Sequence, residues 1–157
     1  MFRFGIMGAG GIAAKFCDAV RRLEDAKVAV VASKSVERAE RFARENGIAR
    51  FYGNYEEMLE REKPDAVYVA TTNNFHFENV MQCIGHGVPA LCEKSMFMPL
   101  AEAEEAICFA REKMVFLMEA MWSRFLPCVQ KAREADRHGS DCELHRGDQR
   151  PGGSPDF

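Results

Sequence analysis

Several features that commonly assign a protein to a class are missing from this sequence. No apolar run approaches the roughly 20 residues that are needed to cross a bilayer. The N-terminus reaches a glycine-rich turn too early for a secretory signal. No sign of charge predominates, because 21 Lys and Arg residues stand against 24 Asp and Glu residues, for a net charge of −3. We therefore expect a cytoplasmic protein with no nucleic-acid partner and no membrane partner.

The six cysteines also lack the close pairs that indicate a metal site or a redox disulfide. None has the C-x-x-C spacing that zinc ligands and redox pairs commonly share. We expect buried, reduced thiols and no metal centre. What the chain does have is length and apolar content, since 157 residues with 47% hydrophobic and 29% charged side chains suffice for one soluble domain with a core.

Short apolar runs alternate with amphipathic stretches along the chain. This pattern is typical of β-α units that form a parallel sheet, and it predicts a doubly wound, three-layer αβα domain. The predicted strands are residues 2–7, 28–32, 50–52, 65–70, 88–92 and 115–119. The predicted helices are about residues 12–23, 36–45, 55–61, 76–86, 99–113 and 127–137.

Three further expectations follow from the same pattern. The first helix is predicted to bury Ile12, Phe16, Ala19, Val20 and Leu23. The second helix is followed by Gly47, placed as a left-handed cap would be. The domain is predicted to cover residues 1–138, and residues 139–157, which have neither period, are expected to form an irregular, disordered tail.

A glycine-rich turn joins the first strand to the first helix. It reads Gly8-x-Gly10-x-x-Ala13, and its place between a strand and a helix raises this short motif above chance. Gly8 permits the tight turn, Gly10 lets the backbone approach a pyrophosphate, and Ala13 allows close packing of helix and strand. The free N–H groups and positive dipole of the helix start favour phosphate. The alternative is a loop that only turns the chain.

The sequence therefore predicts a Rossmann domain that binds a nicotinamide dinucleotide. The residues expected to hold its pyrophosphate are Gly8, Gly10, Gly11, Ile12 and Ala13. The end of the second strand predicts which dinucleotide is bound, because NAD-binding domains usually have an acid there for the ribose 2′-OH. This strand ends in Ser33 and Lys34, with Arg38 one turn later.

A hydroxyl and two cations suit a 2′-phosphate, so we favour NADP over NAD. The alternatives are that Lys34 and Arg38 are solvated charges at a helix end, and that Ser35 is only a helix N-cap. Both interpretations remain open from the sequence.

Polar residues follow the later strands, at the edge of the sheet where ligands bind. They are Thr71, Thr72, Asn73, Asn74, His76, Glu93 and Lys94. Burial of Lys94 after an apolar strand would disfavour its charged form and let it exchange a proton with a substrate hydroxyl near neutral pH. A surface lysine is an equally good interpretation, and a lone His76 is more often a packing or capping residue than a catalyst.

Three motifs together resemble one family in their order and spacing. They are Gly8-x-Gly10-x-x-Ala13, Ala70-Thr71-Thr72-Asn73-x-x-His76 and Glu93-Lys94. The chain resembles the Gfo/Idh/MocA oxidoreductases over about residues 2–138, and residues 118–127 resemble the dihydrodiol dehydrogenase-like branch. The resemblance implies hydride transfer between NAD(P) and a small-molecule substrate, namely a sugar, a polyol or a diol.

The resemblance also implies roles for individual residues. Lys94 is then the catalytic lysine that hydrogen-bonds the reacting oxygen, and Glu93 lies beside the nicotinamide. The other residues that it places near the cofactor are Thr71, Thr72, Asn73, His76, Trp122 and Arg124. The alternatives for the last two are core packing for the indole and a surface charge for the guanidinium.

Three departures from the family pattern modify these expectations. Ser95 stands where the family has a proline after the lysine, often behind a cis bond, and Thr72 replaces another proline. The family's C-terminal α/β domain, with its substrate pocket, catalytic histidine and oligomer interface, has no counterpart here. We expect a truncated member with impaired turnover and leave self-association open. The alternative is a non-catalytic NAD(P)-binding module, or a remnant that binds cofactor or a partner chain.

Overall fold

The computed structural model describes residues 1–137, which belong to two compact units. The first unit is Met1–Met121, and the second begins at Trp122. The tail predicted at residues 139–157, Cys142 included, lies outside the described residues. The domain end predicted at residue 138 therefore stays a prediction.

The first unit is built on a parallel sheet, which has six strands within the described residues. The strands are β1 Phe2–Met7, β2 Ala26–Ala32, β3 Arg50–Tyr52, β4 Ala66–Val69, β5 Ala90–Cys92 and β6 Leu117–Glu119. The helices are α1 Gly11–Val20, α2 Val36–Asn46, α3 Tyr55–Glu62, α4 His76–Gly85 and α5 Leu100–Glu112, with a short 3-10 helix at Asn73–Phe75. Every strand and helix predicted for this unit is present, with bounds that differ by a few residues at most.

The strand order is β3-β2-β1-β4-β5-β6, and all neighbouring strands are parallel. The chain proceeds outward from β1 to β3 and then returns to β4 on the other side of β1. The order thus reverses between β1 and β4, where the loops at the carboxyl ends diverge and leave a crevice for a ligand. This is the doubly wound Rossmann arrangement that the sequence predicts.

Two apolar clusters cover the two faces of the sheet. Helices α1 and α2 pack on one face, with Cys17 and Phe42 among the buried residues. Helices α3, α4 and α5 pack on the other face, through residues such as Leu59, Val80 and Ala106. The predicted three-layer αβα architecture is therefore confirmed.

Local signals fix both ends of α2, which carries Arg38. The Ser35 hydroxyl oxygen accepts a hydrogen bond from the Arg38 N–H at 3.2 Å, so Ser35 is the N-cap. Gly47 ends the helix in the left-handed conformation, with φ of 66°. The first turn of α2 is thereby held directly after β2.

The buried face of α1 differs from the prediction. Ala13, Cys17 and Val20 are buried, whereas Ile12 and Leu23 are 42% and 52% exposed. Of the other residues predicted for this face, Val20 is buried, Phe16 is partly buried against the apolar cluster and Ala19 is exposed. The packing role predicted for Ala13 is consistent with its exposure of 0%.

The second unit contains a 3-10 helix at Trp122–Phe125, followed by α6 at Pro127–Arg137. The bounds of α6 are those predicted, whereas the 3-10 helix is too short to leave a period in the sequence. Among the described residues, no helix is long and apolar enough to cross a membrane.

The prediction of buried thiols is only partly correct. Cys17, Cys83 and Cys92 are free and buried, but Cys108 and Cys128 are free and exposed. The last two lie on the solvent-facing sides of α5 and α6. The general tendency of cysteine to be buried therefore gave the wrong prediction for these two residues, because the orientation of each helix exposes its thiol.

Candidate functional site

The turn after β1 requires a glycine at position 8. Gly8 has φ of 101°, a conformation that residues with a side chain rarely adopt. A Cβ atom on Gly8 would lie 2.7 Å from the carbonyl oxygen of Ala70, just past β4. The Gly8 N–H donates to the carbonyl oxygen of Ala32 at 2.8 Å, which fixes the turn to the end of β2. The tight turn predicted for Gly8 is therefore present.

The first turn of α1 leaves its backbone N–H groups open to a ligand. Gly10 is the N-cap, in an extended conformation, and among the described residues no side chain caps this helix. Its first turn contains no acid, and a Cβ on Gly10 would meet no atom within 4 Å. Open N–H groups at the positive end of a helix dipole bind phosphate. The turn therefore fits the pyrophosphate of a dinucleotide.

A cleft of about 360 Å³ lies over this turn. Its lining residues are Gly8, Ala9, Gly10, Ile12, Ser33, Lys34, Arg38, Tyr55, Ala70, Thr71, Thr72 and Phe75. The cleft thus joins the glycine-rich turn, the end of β2 and the loop after β4. These are the elements that border the crevice created by the reversal of strand order.

The β2 end of the cleft carries the two predicted cations. Lys34 places its ammonium 3.6 Å from the ring centroid of Phe75, a cation–π contact that links the segment after β2 to the loop after β4. Within residues 1–137, neither Lys34 nor Arg38 has a carboxylate at ion-pair distance. Ser33 lies between them and the sheet, with an exposure of 6%.

The acid nearest to these cations in sequence, Glu37, is hydrogen-bonded to a hydroxyl and not to either cation. Glu37 accepts a hydrogen bond from the Ser35 hydroxyl at 2.7 Å, and this bond lowers the pKa of the Glu37 carboxyl. The same hydroxyl caps α2, so Ser35 and Glu37 stabilise the helix start. The positive charge of Lys34 and Arg38 therefore remains available to an anion in the cleft.

The loop after β4 is fixed by His76, which is fully buried. Its Nε2 atom lies 3.1 Å from the carbonyl oxygen of Thr71, and its Nδ1 atom lies 3.0 Å from the carbonyl oxygen of Ser95. The Asn73 amide donates to the same Ser95 oxygen at 3.4 Å, and the Asn79 amide donates to the Thr71 hydroxyl at 3.0 Å. His76 and Asn73 therefore tie the loops after β4 and β5 together.

Glu93 and Lys94 follow β5, one strand beyond the cleft lining. The Tyr68 hydroxyl donates a hydrogen bond to one Glu93 oxygen, and the Lys94 N–H donates to the other at 3.2 Å. The Lys94 side chain is exposed, so the buried amine that the sequence left open is not observed. The peptide bond between Lys94 and Ser95 is cis.

Sequence reasoning missed two aromatic residues of the lining. Tyr55 is the first residue of α3, and burial raises the pKa of its hydroxyl. The Asn54 cap marks the helix start but carries no information about where the Tyr55 ring lies. Phe75 stands in a predicted polar segment, and only the tertiary contact with Lys34 identifies it.

The remaining predicted residues lie outside the cleft lining. Gly11 is exposed at the start of α1, while Ala13 contacts the sheet. Trp122 and Arg124 belong to the 3-10 helix of the second unit, and the Trp122 side chain is 66% exposed. Their role beside the cofactor stays a prediction.

Known proteins share this fold and sequence. A model of the oxidoreductase family with an NAD-binding Rossmann fold, Gfo/Idh/MocA, matches residues 2–121. Trans-1,2-dihydrobenzene-1,2-diol dehydrogenase of Mus musculus is 40% identical over 144 residues, which are 90% of this chain and 43% of that protein. D-xylose 1-dehydrogenase (NADP(+)) of Hypocrea jecorina is 40% identical, with 84% of this chain and 37% of that protein covered.

Solved structures of oxidoreductases share the fold of this chain. A probable dehydrogenase from Thermotoga maritima has a TM-score of 0.81 and 25% identity, covering 88% of this chain and 41% of that one. A 3-ketoreductase from Actinomadura kijaniata, in complex with TDP-benzene and NADP, has a TM-score of 0.79 and 28% identity, covering 88% and 44%. The chain spans about two fifths of the length of the curated relatives it matches. It belongs to the Gfo/Idh/MocA oxidoreductase family, and residues 2–121 are the NAD-binding Rossmann domain of that family.

Proposed function

We propose that the cleft binds NADP(H), and that the chain is the cofactor-binding half of an oxidoreductase acting on a sugar, polyol or diol. The observation that carries the choice of NADP(H) is the pair Lys34 and Arg38, two cations with no described carboxylate partner at the β2 end of the cleft. A ribose 2′-phosphate supplies the missing negative charge. A ribose hydroxyl would leave both cations uncompensated.

The chain's own residues divide the work of binding. Backbone N–H groups of Gly11 and its neighbours at the start of α1 receive the pyrophosphate. The Ser33 hydroxyl, Lys34 and Arg38 receive the 2′-phosphate. Binding draws Lys34 away from Phe75, and the gain of an ionic hydrogen bond exceeds the loss of an exposed cation–π contact.

Lys94 is proposed to handle the proton of the reaction. A bound nicotinamide supplies the hydride acceptor or donor. The Lys94 side chain would hydrogen-bond the reacting oxygen of the substrate, taking up the hydroxyl proton when an alcohol is oxidised and returning it when a carbonyl is reduced. The exposed Lys94 amine is accessible to a substrate, and Glu93 holds the Lys94 backbone N–H beside the crevice.

The substrate class is proposed from the relatives. One is named for a dihydrobenzenediol and another for D-xylose, and both names describe neighbouring hydroxyl groups on a small ring or sugar. Positioning of a substrate can be worth about 7–11 kcal/mol of the barrier. Because this chain spans about two fifths of those relatives, we expect these 157 residues by themselves to turn over slowly.

A second candidate is a module that binds NAD(P) without catalysis. It is favoured by the composition of the cleft, whose lining ends at Phe75 and does not include Lys94. Binding can therefore be complete without any residue that handles a proton. Turnover is what separates the two candidates.

Titration with NADPH and NADH, followed by nicotinamide fluorescence, tests the proposal. We expect NADPH to bind at least tenfold more tightly than NADH. Equal affinity would refute the assignment of Lys34 and Arg38, and no binding of either would refute the cofactor site. A turnover assay with a panel of polyols and diols then compares the chain with Lys94→Ala. A rate that does not depend on Lys94 would favour the non-catalytic module.

A further inference from the structure

Tyr68 connects the core of the sheet to the β5 end of the crevice. It lies on β4 with an exposure of 3%, and its ring stacks on Phe16 of α1 with centroids 4.0 Å apart. Its hydroxyl donates to Oε1 of Glu93 on the neighbouring strand. Burial and this hydrogen bond raise the pKa of Tyr68, so the hydroxyl keeps its proton and remains a donor. The buried Tyr68 ring thus holds its hydroxyl donor against the Glu93 carboxylate.

Glu93 is held at both oxygens. Tyr68 occupies Oε1, and the Lys94 N–H donates to Oε2 at 3.2 Å. The Glu93 backbone is fixed as well, because its N–H donates to the carbonyl oxygen of Val69 at 3.0 Å. A carboxylate has about four acceptor sites, so two hydrogen bonds leave further sites for a ligand. The residue is only partly buried.

Strand order places Glu93 opposite the cations of the cleft. Lys34 follows β2, the glycine-rich turn follows β1, and Glu93 follows β5 on the far side of β4. A dinucleotide with its 2′-phosphate at the β2 end and its pyrophosphate at the turn continues toward β4 and β5. The nicotinamide half, with its carboxamide N–H and ribose O–H donors, therefore extends toward the Glu93 carboxylate.

We propose that Tyr68 is a positioning residue, whose hydroxyl fixes the Glu93 carboxylate for the nicotinamide half of the dinucleotide. The inference rests on the proposed function of the cleft. Removing the hydroxyl leaves the Lys94 N–H as the only described hydrogen bond to the carboxylate, so the carboxylate is less firmly oriented and binding of the nicotinamide half is weaker. Binding of the adenosine half depends on the turn after β1 and on the β2 end, so it is unaffected.

The chain contains a matched control for the loss of a tyrosine–glutamate hydrogen bond. The Tyr52 hydroxyl donates to Oε1 of Glu62 at 2.6 Å, and neither residue lines the cleft. Tyr52→Phe therefore removes the same type of bond elsewhere in the unit. Because Tyr52 is only partly buried, this variant controls for the loss of a tyrosine–glutamate hydrogen bond and not for the loss of a buried hydroxyl.

The experiment compares two ligands by calorimetry on the full chain. NADPH has both halves, whereas 2′-phospho-ADP-ribose has the phosphates and no nicotinamide. We expect Tyr68→Phe to weaken NADPH about three- to tenfold, as for one lost hydrogen bond, and to change 2′-phospho-ADP-ribose less than twofold. Tyr52→Phe should change neither ligand by more than twofold. Equal losses for both ligands, or no loss for NADPH, would overturn the inference.

A double variant tests whether Tyr68 acts through Glu93. Glu93→Ala should weaken NADPH selectively, and adding Tyr68→Phe to it should cause no further loss; a further loss beyond twofold would contradict the mechanism. If Tyr68→Phe does not fold, Glu93→Gln carries the same two-ligand comparison, and an unselective effect there overturns the inference. Failure of the unaltered chain to bind either ligand overturns the proposed function itself, which distinguishes the two failures.

Discussion

Gly8 offers a sharp test of how the turn after β1 is built. In Gly8→Ala, the new Cβ would lie 2.7 Å from the carbonyl oxygen of Ala70 and 3.1 Å from the N–H nitrogen of Thr71. These are backbone atoms next to a central strand, so they cannot rotate away as a flexible side chain would. The φ of 101° adds strain for any residue with a Cβ.

The size of the effect follows from these two sources. Backbone strain of this kind costs about 1–3 kcal/mol, and overpacking of a well-packed region costs about 1–3 kcal/mol. We therefore expect Gly8→Ala to lower the free energy of unfolding by about 2–6 kcal/mol. Because domains are stable by about 5–15 kcal/mol, the variant should still fold, but with a clearly lower urea midpoint.

Gly11→Ala is the matched control. Gly11 is also in the glycine-rich segment, but its Cβ would meet no atom within 4 Å and its φ is not positive. It begins a helix, where alanine is preferred, so we expect a change between zero and about 1 kcal/mol of added stability. Urea unfolding followed by far-ultraviolet circular dichroism measures both variants. A difference below about 1 kcal/mol between them would refute the clash at Ala70.

Three more predictions concern cofactor binding and the stability of the fold. Gly10→Ala should leave the urea midpoint nearly unchanged, since its Cβ meets no atom within 4 Å, yet weaken NADPH at least tenfold by obstructing the pyrophosphate; unchanged affinity in a titration would contradict this. Arg38→Ala should weaken NADPH about tenfold and NADH less than twofold, and equal losses in paired titrations would exclude a 2′-phosphate contact. Burial raises the pKa of the Cys83 thiol, and it raises that of Cys92 to about 12. Above the ordinary thiol pKa of 9.0 the unfolded chain releases protons that the folded chain keeps, so the free energy of unfolding should decline as the pH rises past this value. Urea midpoints that stay constant from pH 8 to pH 10 would contradict this prediction.

Features with a local cause could be predicted from the sequence. The glycine-rich turn combines a strand end, a positive φ and an uncapped helix start, and all three depend on residues that are close in sequence. The same holds for Ser35, which caps α2 through its own side chain, and for Gly47, which ends that helix. Ser33 and Lys34 were predicted in the site because the end of a parallel strand always borders the same edge of the sheet.

Features with a tertiary cause could not be predicted. The partners of Phe75 and Tyr68 lie 41 and 25 positions away, so no window of sequence contains both members of either pair. His76 was assigned near the cofactor by its motif, yet it is buried against three backbone carbonyl oxygens, those of Thr71, Ser95 and Met96. Its role beside the cofactor stays a prediction, and its contacts depend on the packing of the loops after β4 and β5.

The two ends of the crevice are held by different physical means, and this difference has a consequence for cofactor choice. At the β2 end, Lys34 and Arg38 are exposed, and the side-chain contact of Lys34 is with an aromatic ring, so each can be exchanged with little effect on packing. At the β5 end, Glu93 depends on the buried Tyr68, and Ser95 depends on the buried His76. Substitutions there disturb the core as well as the site. Preference between NADPH and NADH should therefore change through single substitutions at the β2 end, whereas the β5 end should tolerate only changes that keep the tyrosine and histidine contacts.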